Sequence, residues 1–269
     1  MKYEEKITEL FKNAYTEVNK NHDEAVIAFE NYCNIRNRKI PVMVNYDTHS
    51  DVYLNTKQIS PNIANWVNFC FSRLGLVEYY WIIPRYIMQN SVFKKVFETS
   101  DKLQQETFQH GAMRAFGGLD DVLKENFLLN KETAELITVK KINFLNEKNK
   151  KFNLPIITAE HEGFVPVSIY IVPFDKISVL KDKETALSID ADSFCNSGHD
   201  TINAINNIDI TSDEIKKEFD FFISALYENN VKINAASLTR SPAYFPPKFE
   251  KEINEFYSKI KSVSNYQMI

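Results

Sequence analysis

The sequence predicts an α/β fold, with three layers (α/β/α) arranged around a mainly parallel sheet. Segments with helical spacing of apolar residues alternate along the chain with short apolar runs, a pattern typical of this class. The short runs are nearly all apolar, which indicates strands covered on both faces of a parallel sheet. The chain has 269 residues, 44% of them hydrophobic, so we expect one domain spanning 1–269.

The first half of the chain is predicted to begin with helices and two buried strands. Pro61 suits the first turn of a helix, Ser60 its cap and Gly75 its exit. The elements, in order, are a helix at 3–18 whose end "AYTEV" is equally compatible with a strand, a helix at 24–33, a strand at 40–46, a helix at 61–75 and a strand at 77–84.

The second half continues the same alternation. Ser212 is the expected cap of an amphipathic helix whose apolar residues recur at helical spacing. The elements are helices around 91–98 and 119–125, a short strand near "ELITVKKI", strands at 167–174 and 185–190, a helix at 212–230, a strand at 231–238 and a closing helix at 247–263.

Composition argues against several classes of partner. The net charge is -4 and the charges are interspersed, which does not favour a nucleic acid. The sequence has no run of 18 apolar residues, no apolar core of a signal peptide and no glycine-rich phosphate loop. Three widely spaced cysteines suit a reducing compartment, so we expect a cytoplasmic protein that neither enters a membrane nor binds a nucleic acid.

One short stretch carries unusual chemistry. In "NYDTHSDVY", Asp47, His49 and Asp51 occupy alternate positions directly after the apolar run "IPVMV". Side chains at i and i+2 of a strand share a face, so Asp47 and His49 point the same way. Crowded carboxylates repel one another unless a cation neutralises them. This stretch alone is equally compatible with a turn rich in hydrogen bonds.

A second acidic pair completes the set. Asp190 and Asp192 in "SIDADSF" end a later strand, and His22 in "NKNHDEA" lies upstream. In a parallel sheet the ends of the strands meet at one edge, where ligands bind. Four carboxylates balance two divalent cations, and this oxygen-rich set favours Mn²⁺ over Zn²⁺. The "DAD" pair and His22 are weak signals when each is taken alone.

These motifs together resemble the arginase/agmatinase/deacetylase superfamily. Its ureohydrolases carry a His, then D-A-H-x-D, then S-x-D-x-D, which appear here as His22, "DTHSD" and "SIDAD". The contexts "HDEA", "NYDTHSDV", "NIANWVNF" and "SIDADSF" resemble a divergent branch that includes the peptide arginases of ribosomal-peptide biosynthesis. The resemblance implies an arginase-like fold and a metallohydrolase that converts peptidyl arginine to ornithine and urea through a metal-bridging hydroxide.

The resemblance also implies a role for each of the six ligands. One ion is bound by His22 and Asp51, the other by His49 and Asp192, and Asp47 and Asp190 bind both. Asp51 is also expected to hydrogen-bond the hydroxide and to help protonate the leaving amine.

The sequence departs from the arginases that act on the free amino acid. The region after "DTHSD" lacks their substrate-loop His, and "SLTRSPAYFPP" lacks their late Glu. In "AEHEGF", Glu160 or Glu162 is predicted to hold the guanidinium and His161 to shuttle protons, although a solvated acidic loop explains this stretch equally well. Asn65 is a candidate substrate contact, with helix packing or capping as the rival interpretation.

We therefore expect a binuclear hydrolase that acts on arginine within a peptide. A metal-dependent deacetylase or amidohydrolase is the enzymatic alternative, since amide and guanidine hydrolysis share the activated-water step. A non-catalytic arginase-like protein that binds metal or peptide is the third, because the substrate His and Glu are missing.

Overall fold

The computed structural model describes residues 1–54, 57–89, 121–138, 146–148, 150–151, 164–195 and 210–264. The named helices are α1 (Tyr3–Phe11), α2 (Glu24–Arg36), α3 (Trp66–Arg73), α4 (Arg85–Gln89), α5 (Ser212–Glu228) and α6 (Glu250–Val263). The strands are β1 (Tyr15–Asn19), β2 (Val42–Tyr46), β3 (Glu78–Ile83), β4 (Leu123–Asn130), β5 (Glu135–Thr138), β6 (Phe164–Pro173), β7 (Glu184–Asp190) and β8 (Lys232–Thr239).

The eight strands form one sheet in the order β1-β8-β7-β2-β3-β6-β4-β5. Every neighbouring pair from β1 to β6 in this order is parallel, whereas β4 runs antiparallel to both β6 and β5. The predicted α/β class with a mainly parallel sheet is therefore confirmed. The six parallel strands direct their carboxyl ends toward the same edge, where the predicted metal ligands follow.

Helices cover both faces of the sheet because strand side chains alternate between two apolar cores. In β8, Ala235 belongs to the core beneath α2 and α3, whereas Ala236 and Leu238 belong to the core beneath α1, α5 and α6. The same alternation in β2 sends Met43 to the first core and Val44 to the second. Both faces are buried, which explains why the strand runs are nearly all apolar.

Two predicted boundaries move because tertiary contacts override local spacing. Helix α1 ends at Phe11. Most of "AYTEV" belongs to strand β1, which pairs with β8 along its length. Helix α3 starts at Trp66 rather than at 61, because the Asn65 side chain accepts a hydrogen bond from the Asn62 amide (2.7 Å) and holds a turn there. It ends at Arg73, and Gly75, the expected exit, follows two residues later with a φ of +74° that suits glycine.

The prediction of a helix at 119–125 is wrong for the described part. Residues 123–130 form β4, which pairs with β6 and β5, and partners outside the segment cannot be read from its own spacing. The cap of α5 is Thr211 rather than Ser212, and it forms a capping box with Glu214. The helix predicted at 91–98 lies outside the described residues.

Two observations bear on the expected environment. None of the helices in the described ranges is both long enough and apolar enough to cross a membrane. All three cysteines fall in described ranges, and each is a free thiol.

Candidate metal centre

The six predicted ligands all lie at the carboxyl edge of the sheet. His22 follows β1, three of the ligands follow β2, Asp190 ends β7 and Asp192 comes two residues later. Because β7 and β2 are neighbours, with Ile189 opposite Tyr46, their acidic ends are adjacent. The six are His22, Asp47, His49, Asp51, Asp190 and Asp192, and all but the partly exposed His49 are buried.

The buried imidazole faces three carboxylates. Nδ1 of His22 lies 2.8 Å from Asp51 Oδ2, 3.0 Å from Asp47 Oδ2 and 3.1 Å from Asp190 Oδ2. Nε2 lies 2.7 Å from the Ser188 hydroxyl oxygen. With its proton on Nε2, His22 would donate to Ser188 and offer the Nδ1 lone pair to an ion, whereas without an ion a protonated Nδ1 donates to the carboxylates.

The second imidazole faces the other side of the same carboxylate. Nδ1 of His49 lies 3.7 Å from Asp47 Oδ1 and 3.6 Å from Asp192 Oδ2. Asp47 thus presents Oδ2 to His22 and Oδ1 to His49. This is the arrangement of a carboxylate that bridges two sites.

The donor atoms form two overlapping groups that could each hold a metal ion. One contains His22, Asp47 and Asp190, the other Asp47, His49 and Asp192, and the donor atoms of each group lie within 4.8 Å of one another. Buried carboxylates and imidazoles are ligands for divalent metals, and buried charges are paired or coordinate a metal. The residues present therefore fit metal ions, and Asp51 adds a further carboxylate beside His22.

Buried hydrogen bonds orient the ligands. Ser241 donates to Asp190 Oδ2 (2.6 Å), and the Asp192 amide donates to Asp190 Oδ1 (3.2 Å). The Tyr86 hydroxyl donates to the carbonyl of Asp192 (2.9 Å), and the hydroxyl of Thr48 lies 3.2 Å from Asp192 Oδ1. Such partners fix ligand geometry and commonly affect metal affinity 10- to 100-fold, as an order of magnitude.

Sequence reasoning missed these supporting residues to different degrees. Ser188 shares a strand face with Asp190 at i and i+2, so the period of two could have identified it. Trp66 is buried in the core, and its Nε1 also donates to Asp51 Oδ2 (2.6 Å). Nothing in the local pattern indicates the contact from Ser241, which is 51 residues away from Asp190.

Crowding shifts the pKa values of the ligands. Burial lowers the pKa of His22, but Asp51, Asp190 and Asp47 outweigh burial and hold it well above the usual value. Burial and then the charge of Asp47 raise the pKa of Asp51 to about 7. Burial, Asp190 and Asp47 raise the pKa of Asp192 well above its usual value. Burial opposes ionisation of Asp47, yet His22 and His49 keep the pKa of that carboxyl well below normal.

Metal binding is therefore expected to release protons and to weaken as the pH falls. An ion requires a neutral His22 and ionised Asp51 and Asp192, whereas the raised pKa values favour the protonated forms at neutral pH. Calorimetric titration with Mn²⁺ at pH 7, in buffers of different ionisation enthalpy, should show release of at least about one proton per chain. A Mn²⁺ affinity that does not fall between about pH 8 and about pH 6 would contradict this assignment.

The same shifts predict the pH dependence of stability without metal. Between the usual value of 3.8 and about 7, Asp51 holds a proton in the folded chain that the unfolded chain releases. The stability contributed by this group is therefore lost as pH rises through that window, and the raised pKa of His22 acts in the same direction at higher pH.

The described residues include only one of the predicted substrate contacts. Asn65 is buried, and its side-chain amide donates to Gln58 Oε1 (2.7 Å) and the Ser60 carbonyl (3.1 Å), so it supports the turn before α3. A contact between Asn65 and a substrate stays a prediction. The remaining candidates, Glu160, His161 and Glu162, lie outside the described residues.

The aromatic loop after β8 divides into two roles. Phe245 is buried in the core beneath α5 and α6. Tyr244 is half-buried, and its ring centroid lies 5.7 Å from that of His49. One aromatic therefore anchors the loop while the other lies at the exposed side of the cluster.

A comparison of the chain with protein-family models gives no match, and a comparison with curated proteins gives none either.

Proposed function

We propose that the protein is a two-metal hydrolase that cleaves the guanidinium group of arginine, most favourably within a peptide, to give ornithine and urea. One observation carries the proposal: the two oxygens of Asp47 face different imidazoles, so two groups of ligands share one carboxylate. A cluster built for one ion needs neither the second imidazole nor the extra carboxylates beside it.

The donor set supports two divalent ions, with Mn²⁺ as our proposal. Four carboxylates balance two dications, and oxygen-rich sites with imidazole suit Mn²⁺. When bound, two such ions would supply the nucleophile, because a divalent metal lowers the pKa of its water toward neutrality.

The chain's own residues then orient the reaction and move protons. Water adds to the planar guanidinium carbon, the bond from this carbon to the side-chain nitrogen breaks, and the two protons of the water pass to that nitrogen, which gives urea and the ammonium group of ornithine. We assign the relay of these protons to Asp51, as the resemblance to the ureohydrolases implies. Asp47 and Asp190 hold the two halves of the cluster together.

The side chains at the exposed rim of the cluster favour an extended peptide as the substrate. Tyr244 lies over the His49 side of the cluster, and the buried Phe245 and the prolines of "SPAYFPP" hold its loop. An aromatic face at this position can pack along a peptide or against a guanidinium cation. The chain also lacks the substrate-loop His with which related arginases grip a free amino acid.

The alternatives differ in what they require. A single-zinc deacetylase has no use for His22 and Asp51, which the structure places against Asp47 and Asp190. A non-catalytic protein would bind Mn²⁺ without releasing urea. The decisive assay incubates the Mn²⁺-loaded protein with a peptide containing an internal arginine and measures urea. No urea with any arginine peptide, despite two bound ions, would contradict the proposed function.

Each chain is expected to bind two ions. After dialysis against Mn²⁺, elemental analysis should give about two metals per chain, because two ligand groups share Asp47. The exposed Glu184→Gln variant should also bind two, since Glu184 begins β7 at the amino edge of the sheet, opposite the cluster. One zinc with no site for a second ion would overturn the two-metal assignment and favour a deacetylase.

A further inference from the structure

Trp66 contacts two predicted ligands of the same ion. Its indole Nε1 donates to Asp51 Oδ2 (2.6 Å), and its ring centroid lies 4.7 Å from that of His22, with 42° between the planes. The same Asp51 oxygen lies 2.8 Å from His22 Nδ1. One side chain therefore holds both the carboxylate and the imidazole.

Asp51 requires such support more than Asp47 and Asp190 do. It lies in a loop without regular secondary structure and has a φ of +52°, in the left-handed region that Asp adopts only at some cost. Asp47 and Asp190, in contrast, directly follow or end strands of the sheet. Asp51 is not part of a strand, so no ladder of backbone hydrogen bonds fixes its position, and a neighbouring side chain must orient its carboxylate.

The indole is itself firmly placed. Trp66 is the first residue of α3 and is fully buried. The Trp66 ring also lies near that of Phe29 of α2, with ring centroids 6.4 Å apart, and the Asn65 side chain fixes the preceding turn. A charge-assisted hydrogen bond from a rigid, buried donor fixes an acceptor more strictly than one from a mobile side chain.

We infer that Trp66 is a positioning residue of the metal centre: it fixes Asp51 and His22 relative to each other and sets the affinity of their ion. The inference rests on the metal-binding part of the proposed function and does not depend on the substrate. It predicts that loss of the indole donor weakens one ion and spares the ion on the His49 side.

The test compares Trp66→Phe with Phe29→Leu by calorimetric titration with Mn²⁺. Trp66→Phe removes the donor and keeps an aromatic ring, whereas Phe29→Leu disturbs packing on the same indole and keeps the hydrogen bond. We expect Trp66→Phe to weaken one ion 10- to 100-fold, an order-of-magnitude range for supporting hydrogen bonds. The second ion in this variant, and both ions in Phe29→Leu, should stay within about threefold of wild type.

A double mutant identifies the affected side. In a His22→Ala background the ion beside Trp66 is already impaired, so adding Trp66→Phe should change the remaining ion by less than about threefold. Unchanged affinities in Trp66→Phe, equal weakening of both ions, or equal effects of Trp66→Phe and Phe29→Leu would overturn the inference. A wild-type chain that binds no Mn²⁺ would overturn it as well.

Fluorescence keeps the inference testable if Trp66→Phe does not fold. The chain has two tryptophans, so Trp81→Phe leaves Trp66 as the only indole. Because the Trp81 indole donates to the Asp47 carbonyl (2.9 Å), calorimetry on this variant first establishes that both ions still bind. The Trp66 emission should change saturably with Mn²⁺ and follow one of the two binding steps, and an emission that does not respond would overturn the inference. Bound Mn²⁺ without urea release would contradict the proposed function alone, so the two failures are distinguishable.

Discussion

Asp47→Asn is expected to abolish urea release, with a loss of at least about 1,000-fold in kcat/KM. The carboxylate faces His22 through Oδ2 (3.0 Å) and His49 through Oδ1 (3.7 Å), so its loss disturbs both ligand groups. Metal ions contribute several kcal/mol of transition-state stabilisation, and about 4 kcal/mol corresponds to a factor of about 1,000. Asp190→Asn should have a similar effect, because the resemblance to the ureohydrolases implies that Asp190 also binds both ions.

His22→Ala should retain more activity than either of these variants, because His22 serves one ligand group only. Elemental analysis alongside the urea assay shows whether the ions are lost with the activity. The rise in melting temperature that Mn²⁺ causes should also shrink in Asp47→Asn, since binding stabilises the folded state by mass action. Glu184→Gln, the exposed control at the opposite edge of the sheet, should behave as wild type. Near-normal activity in Asp47→Asn would show that the ions are placed wrongly.

An internal arginine in a peptide is expected to be a better substrate than free L-arginine by at least about 100-fold in kcat/KM. A site for the free amino acid binds its α-amino and α-carboxylate groups with polar partners, and unpaired partners penalise any substrate that lacks those groups. Here the described rim presents the aromatic ring of Tyr244 near His49. A factor of 100 corresponds to about 2.7 kcal/mol.

The measurement is a pair of urea assays at matched concentration, with a peptide carrying Lys in place of Arg as the blank. Tyr244→Ala should lower kcat/KM for the peptide and leave the Mn²⁺ stoichiometry unchanged, because Tyr244 packs beside the cluster without a ligand atom in either group. Equal or better turnover of free arginine would contradict the peptide proposal and would leave the metal centre itself in place.

Local patterns correctly predicted the elements whose structure depends mainly on their own residues. The spacing in α5 and α6 and the apolar runs of β2 and β7 are properties of short segments, since burial on a helix face or in a sheet follows local periodicity. β4 shows where this reasoning fails, because its pairing with β6 and β5 comes from other parts of the chain.

Two neighbouring residues of the aromatic loop show the same contrast between local sequence and tertiary packing. The sequence places Tyr244 and Phe245 side by side in "SPAYFPP" and leaves open whether they face a substrate or the closing helix. The fold separates them, with Phe245 in the core and Tyr244 near His49, because backbone direction in a loop without regular periodicity is set by what it packs against.

By itself the sequence determined which residues gather at the candidate metal centre. The residue types and their positions after apolar strands are local, and parallel strands bring such ends to one edge. The strand spacing expected to align Asp47 with His49 does not apply, because β2 ends at Tyr46 and both residues lie in the bend that follows. Only the tertiary structure decided which oxygen of Asp47 faces which imidazole, and that Trp66, 15 residues from Asp51, holds its carboxylate. Hydrogen bonds form over about 3 Å, so their partners depend on how α2, α3 and the loop after β2 pack together, which no short stretch encodes.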